Sequence, residues 1–176
     1  MKKYLIYFIM ALFTFSGCSA KNATLDNTPI KELDLNKYLG TWYEIARFDH
    51  TFERGLDNVS AKYSLTDDGM VKVENAGWKE GVYQSIIGKA KQPDAEKNPA
   101  LLKVSFFWIF YSDYRILYLD EDYQNVLIGG VNSKYLWIMS RTPSPNQETI
   151  DLLIKEAKRR GYDTQKLIMV DQSKKK

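Results

Sequence analysis

Gly40-Thr41-Trp42-Tyr43-Glu44-Ile45-Ala46-Arg47 is a glycine followed by a run dense in aromatic and β-branched residues, and it reads as the opening of a strand over Thr41 to Phe48. Downstream, segments of similar length recur, each bounded by turn residues: Val59 to Leu65, Met70 to Trp78, Val82 to Lys91, Leu101 to Phe107, Tyr114 to Leu119, Asn125 to Gly130 and Tyr135 to Ser140. Asp67-Asp68-Gly69 joins the second to the third as a hairpin turn, with a glycine able to take positive φ. Eight strands in meander order can close into an antiparallel barrel, which leaves no unpaired edge and encloses room for one small ligand. The period then changes. Ile150, Leu153, Ile154 and Ala157 recur on one helical face, with Asn146 as cap and Gly161 as stop, so one amphipathic helix is expected on the outside of the barrel. Leu167 to Val170 supplies a short ninth strand.

Upstream of the first strand the chain is of a different kind. Lys2 and Lys3 precede an uncharged apolar run from Tyr4 to Phe15, the pattern of an export signal and too short for the ~20 residues of a spanning helix. Phe15-Ser16-Gly17-Cys18 resembles the lipobox of bacterial lipoproteins, with Phe15 where Leu is usual. That resemblance implies cleavage before Cys18, diacylglycerol on its sulfur and an acylated amino terminus. Acyl chains contribute about 0.8 kcal/mol per buried methylene, so two or three of them tether a protein stably. Ser19, rather than Asp, follows the cysteine, which favours the outer membrane. The expected organisation is a signal over 1–17, a lipidated tether over 18–32, a barrel domain over 33–172 and a basic tail over 173–176.

Charge excludes several classes. The formal +3 falls to +1 once Lys2 and Lys3 are removed, leaving 23 basic against 22 acidic residues, so no nucleic-acid footprint is present. Cys18 is the only cysteine and His50 the only histidine, so neither a disulfide nor a metal or haem site is expected, and no cofactor is called for. His50 follows the first strand and reads as a solvated rim residue. No Gly-x-Ser-x-Gly elbow marks a nucleophile. Glu44 shares the inward parity of Trp42, but a lone carboxylate on a strand is more often hydrogen-bonded than catalytic. The chain is therefore read as a non-enzyme.

Three motifs carry a family resemblance. Gly40-Thr41-Trp42 opens the first strand, Leu119-Asp120-x-x-Tyr123 closes the sixth, and Leu136-Trp137-Ile138-Met139-Ser140-Arg141-Thr142-Pro143 leads toward the helix. In order and spacing they resemble the signature motifs of lipocalins. Ala46-Arg47-Phe48-Asp49-His50-x-Phe52-Glu53-Arg54-Gly55 and Lys103-Val104-Ser105-Phe106-Phe107 point to the bacterial outer-membrane lipoprotein branch. The resemblance implies an eight-stranded up-and-down β-barrel in which Trp42 plugs the closed end and Arg141 lies across its indole, a structural pair rather than a ligand site. It also implies a weak homodimer.

Alternation along strands yields a candidate lining. If Arg141 points inward, so do Met139, Trp137 and Tyr135. The same parity groups Val59, Ala61 and Tyr63, then Val104 and Phe106, then Ile116 and Tyr118. Such walls suit an acyl tail with a polar head near the mouth, as in a fatty acid or lysophospholipid, carried for cell-envelope lipid maintenance. Two other readings stay open from sequence: a tethered envelope interaction module whose cavity is incidental, and a lipid-acting enzyme.

Overall fold

In the computed structural model β1 (Gly40–Phe48), β2 (Asp57–Leu65), β3 (Val71–Lys79), β4 (Val82–Lys91), β5 (Leu101–Phe107), β6 (Phe110–Leu119), β7 (Asn125–Gly129) and β8 (Leu136–Ser140) each pair antiparallel with the next. β1 also pairs with β8, which closes the eight-stranded barrel expected from the sequence. The structure describes residues 24–173; the export signal, Cys18 and residues 174–176 lie outside the described residues.

β1 shows why one strand can hold several elements together. Its first half pairs with β2 through Gly40 to Tyr43, while its second half, Ala46 to Phe48, pairs with β9 (Leu167–Met169). Gly40 has φ +98, and a Cβ there would meet the Arg141 guanidinium at 3.2 Å. Only glycine meets both demands, which explains the residue that opens the motif.

Two apolar cores result from strand alternation. Trp42, Ala61, Tyr63, Val73, Ile116, Ile128 and Met139 are buried inside the barrel. Ile45, Leu117, Leu127 and Ile138 face outward against α2 (Gln147–Arg159), whose Ile150, Leu153 and Ala157 complete the second core. The Asn146 side chain caps α2 by accepting from the Thr149 N–H, and Gly161 ends it at φ +90.

Three features depart from the sequence reading. A four-residue helix, α1 (Leu35–Tyr38), precedes β1, its amides capped by the Asp34 carboxylate. β6 begins at Phe110 rather than Tyr114, because Phe107 pairs with Phe110 across a two-residue turn. The expected free tether through residue 32 is docked from Leu25 onward: the Asp26 amide donates to the Arg160 carbonyl, the Asn27 side chain to Val131 O and the Ile30 amide to Ile116 O. A polar, aperiodic segment gave no periodicity by which to see this, since its backbone bonds are made to scattered partners.

Candidate functional site

One end of the barrel is shut by the pair that the first and third motifs predict. The Arg141 guanidinium lies 3.9 Å from the Trp42 ring centre. It donates to the carbonyls of Thr41, Lys37, Tyr38, Leu39 and Tyr123, so it ties α1 and the β6–β7 loop across the opening. The Trp42 indole N–H donates to Tyr38 O at 2.8 Å. A stacked guanidinium contributes roughly 0.5–2 kcal/mol, and its five N–H groups satisfy carbonyls that α1 would otherwise leave open.

Above this plug sits a tyrosine cluster. The Tyr114 hydroxyl is 2.6 Å from that of Tyr38 and 3.0 Å from that of Tyr63. Burial pushes all three phenols up, so the cluster is neutral and offers hydroxyl groups to whatever lies above it.

The cavity begins there, with a volume of about 520 Å³, within the roughly 300–1,000 Å³ usual for small-molecule sites. Tyr63, Val59 and Ala61 form its β2 wall. Val104 and Phe106 face it from β5, and Met139 and Trp137 from β8, with Tyr135 just before that strand. Gly88 lets Phe106 lie against β4, since a Cβ there would stand 2.6 Å from the ring.

Tyr118 leaves the expected lining at a strand irregularity, and Ile116 by its depth in the barrel. The β6–β7 register slips between Ile116 and Tyr118, so Leu117 and Tyr118 both face outward. Tyr118 therefore packs in the outer core beside α2 and is not a cavity residue. Ile116 stays inside but belongs to the inner core with Trp42 and does not reach the cavity wall.

The β1 side of the cavity is charged, which simple alternation did not reveal. A second bulge, between Glu44 and Ala46, turns both Ile45 and Ala46 outward and brings Arg47 back to the interior. Arg47 Nη1 donates to Glu44 Oε1 at 2.7 Å, and its Nη2 donates to the Glu53 carbonyl at 2.7 Å. The Glu53 carboxylate accepts from the Trp137 indole N–H at 3.0 Å. Both glutamates line the cavity; the buried Arg47 guanidinium pairs with the Glu44 carboxylate and bonds Glu53 through its main-chain carbonyl. Burial and then the charge of Glu53 push Glu44 up to about 8, while burial raises Glu53 as well. Burial therefore favours the protonated form of each carboxyl. On β3, Asn75 lines the cavity, and its Oδ1 is buried with no hydrogen-bond partner among the described residues.

His50 is also misplaced by the sequence reading. It is buried rather than solvated, stacked on Phe52 with ring centres 5.2 Å apart and touching Trp137 at 4.8 Å. Burial and Arg47 push it down to about 4, so it serves as a neutral aromatic at the cavity mouth. Among loop residues that follow a strand, only the flanking Phe52 and the distant Trp137 hinted at such a cluster.

A closed barrel plugged by a Trp–Arg pair, with a helix on its flank and an open apolar cavity, matches known proteins throughout. Residues 33–172 match the family described as a lipocalin-like domain. The chain belongs to the lipocalin family. It is 44% identical over 164 residues to the outer membrane lipoprotein Blc of Escherichia coli K12, covering 92% of each chain. Against the Vibrio cholerae protein of the same name it is 40% identical over 170 residues, covering 95% of this chain and 98% of that one. Among solved structures, insecticyanin from the tobacco hornworm Manduca sexta superposes with a TM-score of 0.69 at 21% identity, covering 85% of this chain and 86% of that one. This lipocalin is thus of the outer-membrane lipoprotein kind, and a small hydrophobic ligand is the cargo that its family membership implies.

Proposed function

We propose that the chain is a membrane-tethered carrier, acylated on Cys18, that holds the acyl chain of a fatty acid or lysophospholipid inside its barrel for cell-envelope lipid maintenance. The cavity supports this: it is about 520 Å³ and open at one end, its walls are mainly aromatic and aliphatic, and a minority of polar groups, among them Asn75, Ser112, Asp113 and the Glu44–Glu53 side, lie between them. Apolar walls accept a tail at about 25 cal/mol per Å² removed from water, and the few polar groups orient it. The role is binding rather than catalysis: Glu44 is committed to Arg47, and His50 is packed between aromatic rings.

Titrating the delipidated protein with palmitate and with a lysophosphatidylethanolamine while following tryptophan emission tests this reading. Saturable binding with one molecule per barrel is expected for at least one of them. A flat titration with both, in protein whose circular dichroism is that of a folded barrel, removes the lipid assignment. Mass spectrometry of the native protein tests the anchor, which is expected on Cys18.

A further inference from the structure

The open end of the barrel carries an apolar rim that the fold itself does not require. Phe107, Trp108, Ile109 and Phe110 at the β5–β6 turn are 71, 80, 62 and 73% exposed. Phe52 in the β1–β2 loop and Val131 in the β7–β8 loop are exposed at the same end. Phe107 and Phe110 also line the cavity, so the rim is continuous with the wall inside. A contiguous exposed apolar surface of this kind marks an interaction site on a folded protein.

The turn residues make the point more sharply. Trp108 sits at φ +50, a left-handed conformation that Asn and Gly adopt readily and a bulky aromatic does not. Stability of the hairpin alone would favour a small residue at this position. An indole and an Ile side chain held at the tip therefore answer to something outside the chain.

The path of the N-terminal segment says what that is. Asp34 lies at the closed end, where its amide donates to the Tyr123 hydroxyl. Ile30 is bonded midway along β6, and the Asn27 side chain reaches Gly130 O and Val131 O at the open end. Followed backwards, the chain leaves the barrel on the side of the rim. Cys18 is six residues before Thr24, a reach of at most about 20 Å when fully extended.

We propose that the rim rests on the phospholipid bilayer to which the chain is tethered, with Trp108 and Ile109 inserted at the headgroup level and the cavity mouth turned toward the lipid. An indole flanked by Phe107 and Ile109 suits that depth, where one part of the ring system is apolar and its N–H stays hydrated. Docking rests on acylation at Cys18 for the tether. Its consequence rests on the lipid-carrier reading: an amphiphile passes between bilayer and barrel without crossing water.

The test uses the full-length acylated protein in phosphatidylethanolamine–phosphatidylglycerol vesicles whose acyl chains carry shallow bromine atoms, which quench nearby indoles. Tryptophan emission is expected to fall relative to unbrominated vesicles, and most of that fall to disappear in Trp108→Phe, which keeps the rim apolar. In the double variant Trp108→Asn, Ile109→Gly, whose turn suits the backbone better, uptake of fatty acid from vesicles is expected to slow by about tenfold or more, as loss of two buried apolar side chains predicts. Its affinity for fatty acid delivered from solution is expected to stay unchanged. Quenching that is absent, or that survives Trp108→Phe, overturns docking, as does a Trp108 shielded only at rising protein concentration, the mark of a second copy covering the rim. Quenching at Trp108 in a protein that takes up no fatty acid leaves docking standing and removes the ligand reading alone.

Discussion

Replacing Glu44 by Gln should flatten the dependence of stability on pH above neutrality. Glu44 and Glu53 face one guanidinium, Arg47, in the wall of the barrel, and the partners around them are His50 from the β1–β2 loop and Trp137 from β8. Burial and the charge of Glu53 raise Glu44 from 4.5 to about 8. A carboxyl whose pKa rises on folding binds its proton more tightly in the native state. Its contribution to stability is complete below 4.5 and is lost as pH climbs through about 8. His50 acts in the opposite sense, because its pKa falls from 6.5 to about 4: the folded state disfavours the proton, and stability drops as pH falls across that window. The two effects offset each other between 4.5 and 6.5, and from 6.5 to about 8 the Glu44 carboxyl acts unopposed by His50. At about 1.4 kcal/mol per unit, the native state loses on the order of 2 kcal/mol over that last interval. The glutamine keeps the size of the side chain and an oxygen to accept from Arg47, but it has no proton to lose. Urea unfolding followed by far-ultraviolet circular dichroism from pH 6 to 8.5 reads the slope directly. A variant whose stability declines as steeply as the wild type's would refute the account of a buried Glu44 that holds its proton.

Arg141→Met should cost about 3–5 kcal/mol in the same unfolding assay, since it removes the stacked cation and leaves several carbonyls around α1 without a donor; a loss under 1 kcal/mol would show that α1 closes the barrel unaided. Trp137→Phe should abolish most of the emission change on ligand binding, because Trp42 is buried beneath the tyrosines and Trp137 borders the cavity. An undiminished change would move the ligand elsewhere. Tyr118→Ala should lower stability by about 1–2 kcal/mol through the outer core and leave ligand affinity within twofold. A tenfold loss of affinity would return Tyr118 to the cavity.

The contrast between Trp137 and Tyr118 shows where sequence reasoning reaches and where it stops. Parity carried from Arg141 groups Met139, Trp137 and Tyr135, and the structure places these three on the cavity wall, β8 pairing with β7 without interruption. Parity does not carry across β6, where one extra residue at Leu117 turns Tyr118 to the helix side, nor beyond Glu44 on β1, where a bulge swings Arg47 inward. A bulge adds a single residue without changing the character of the strand, so nothing in the local pattern of apolar residues announces it. Its consequences are larger than its size. The β1 bulge alone decides whether Arg47 lies among outward apolar residues or reaches the interior, and so whether Glu44 is an isolated buried acid or the partner of a buried guanidinium. The plug, by contrast, was legible because it depends on residue types that only one geometry satisfies: a glycine at φ +98, an indole, and a guanidinium that fits between them. Motifs bound to backbone geometry survive in the sequence, whereas the lining of a cavity is set by register. In this barrel two of the register slips change what the cavity presents to a head group: the one on β1 adds a charge network, and the one on β6 removes a phenol.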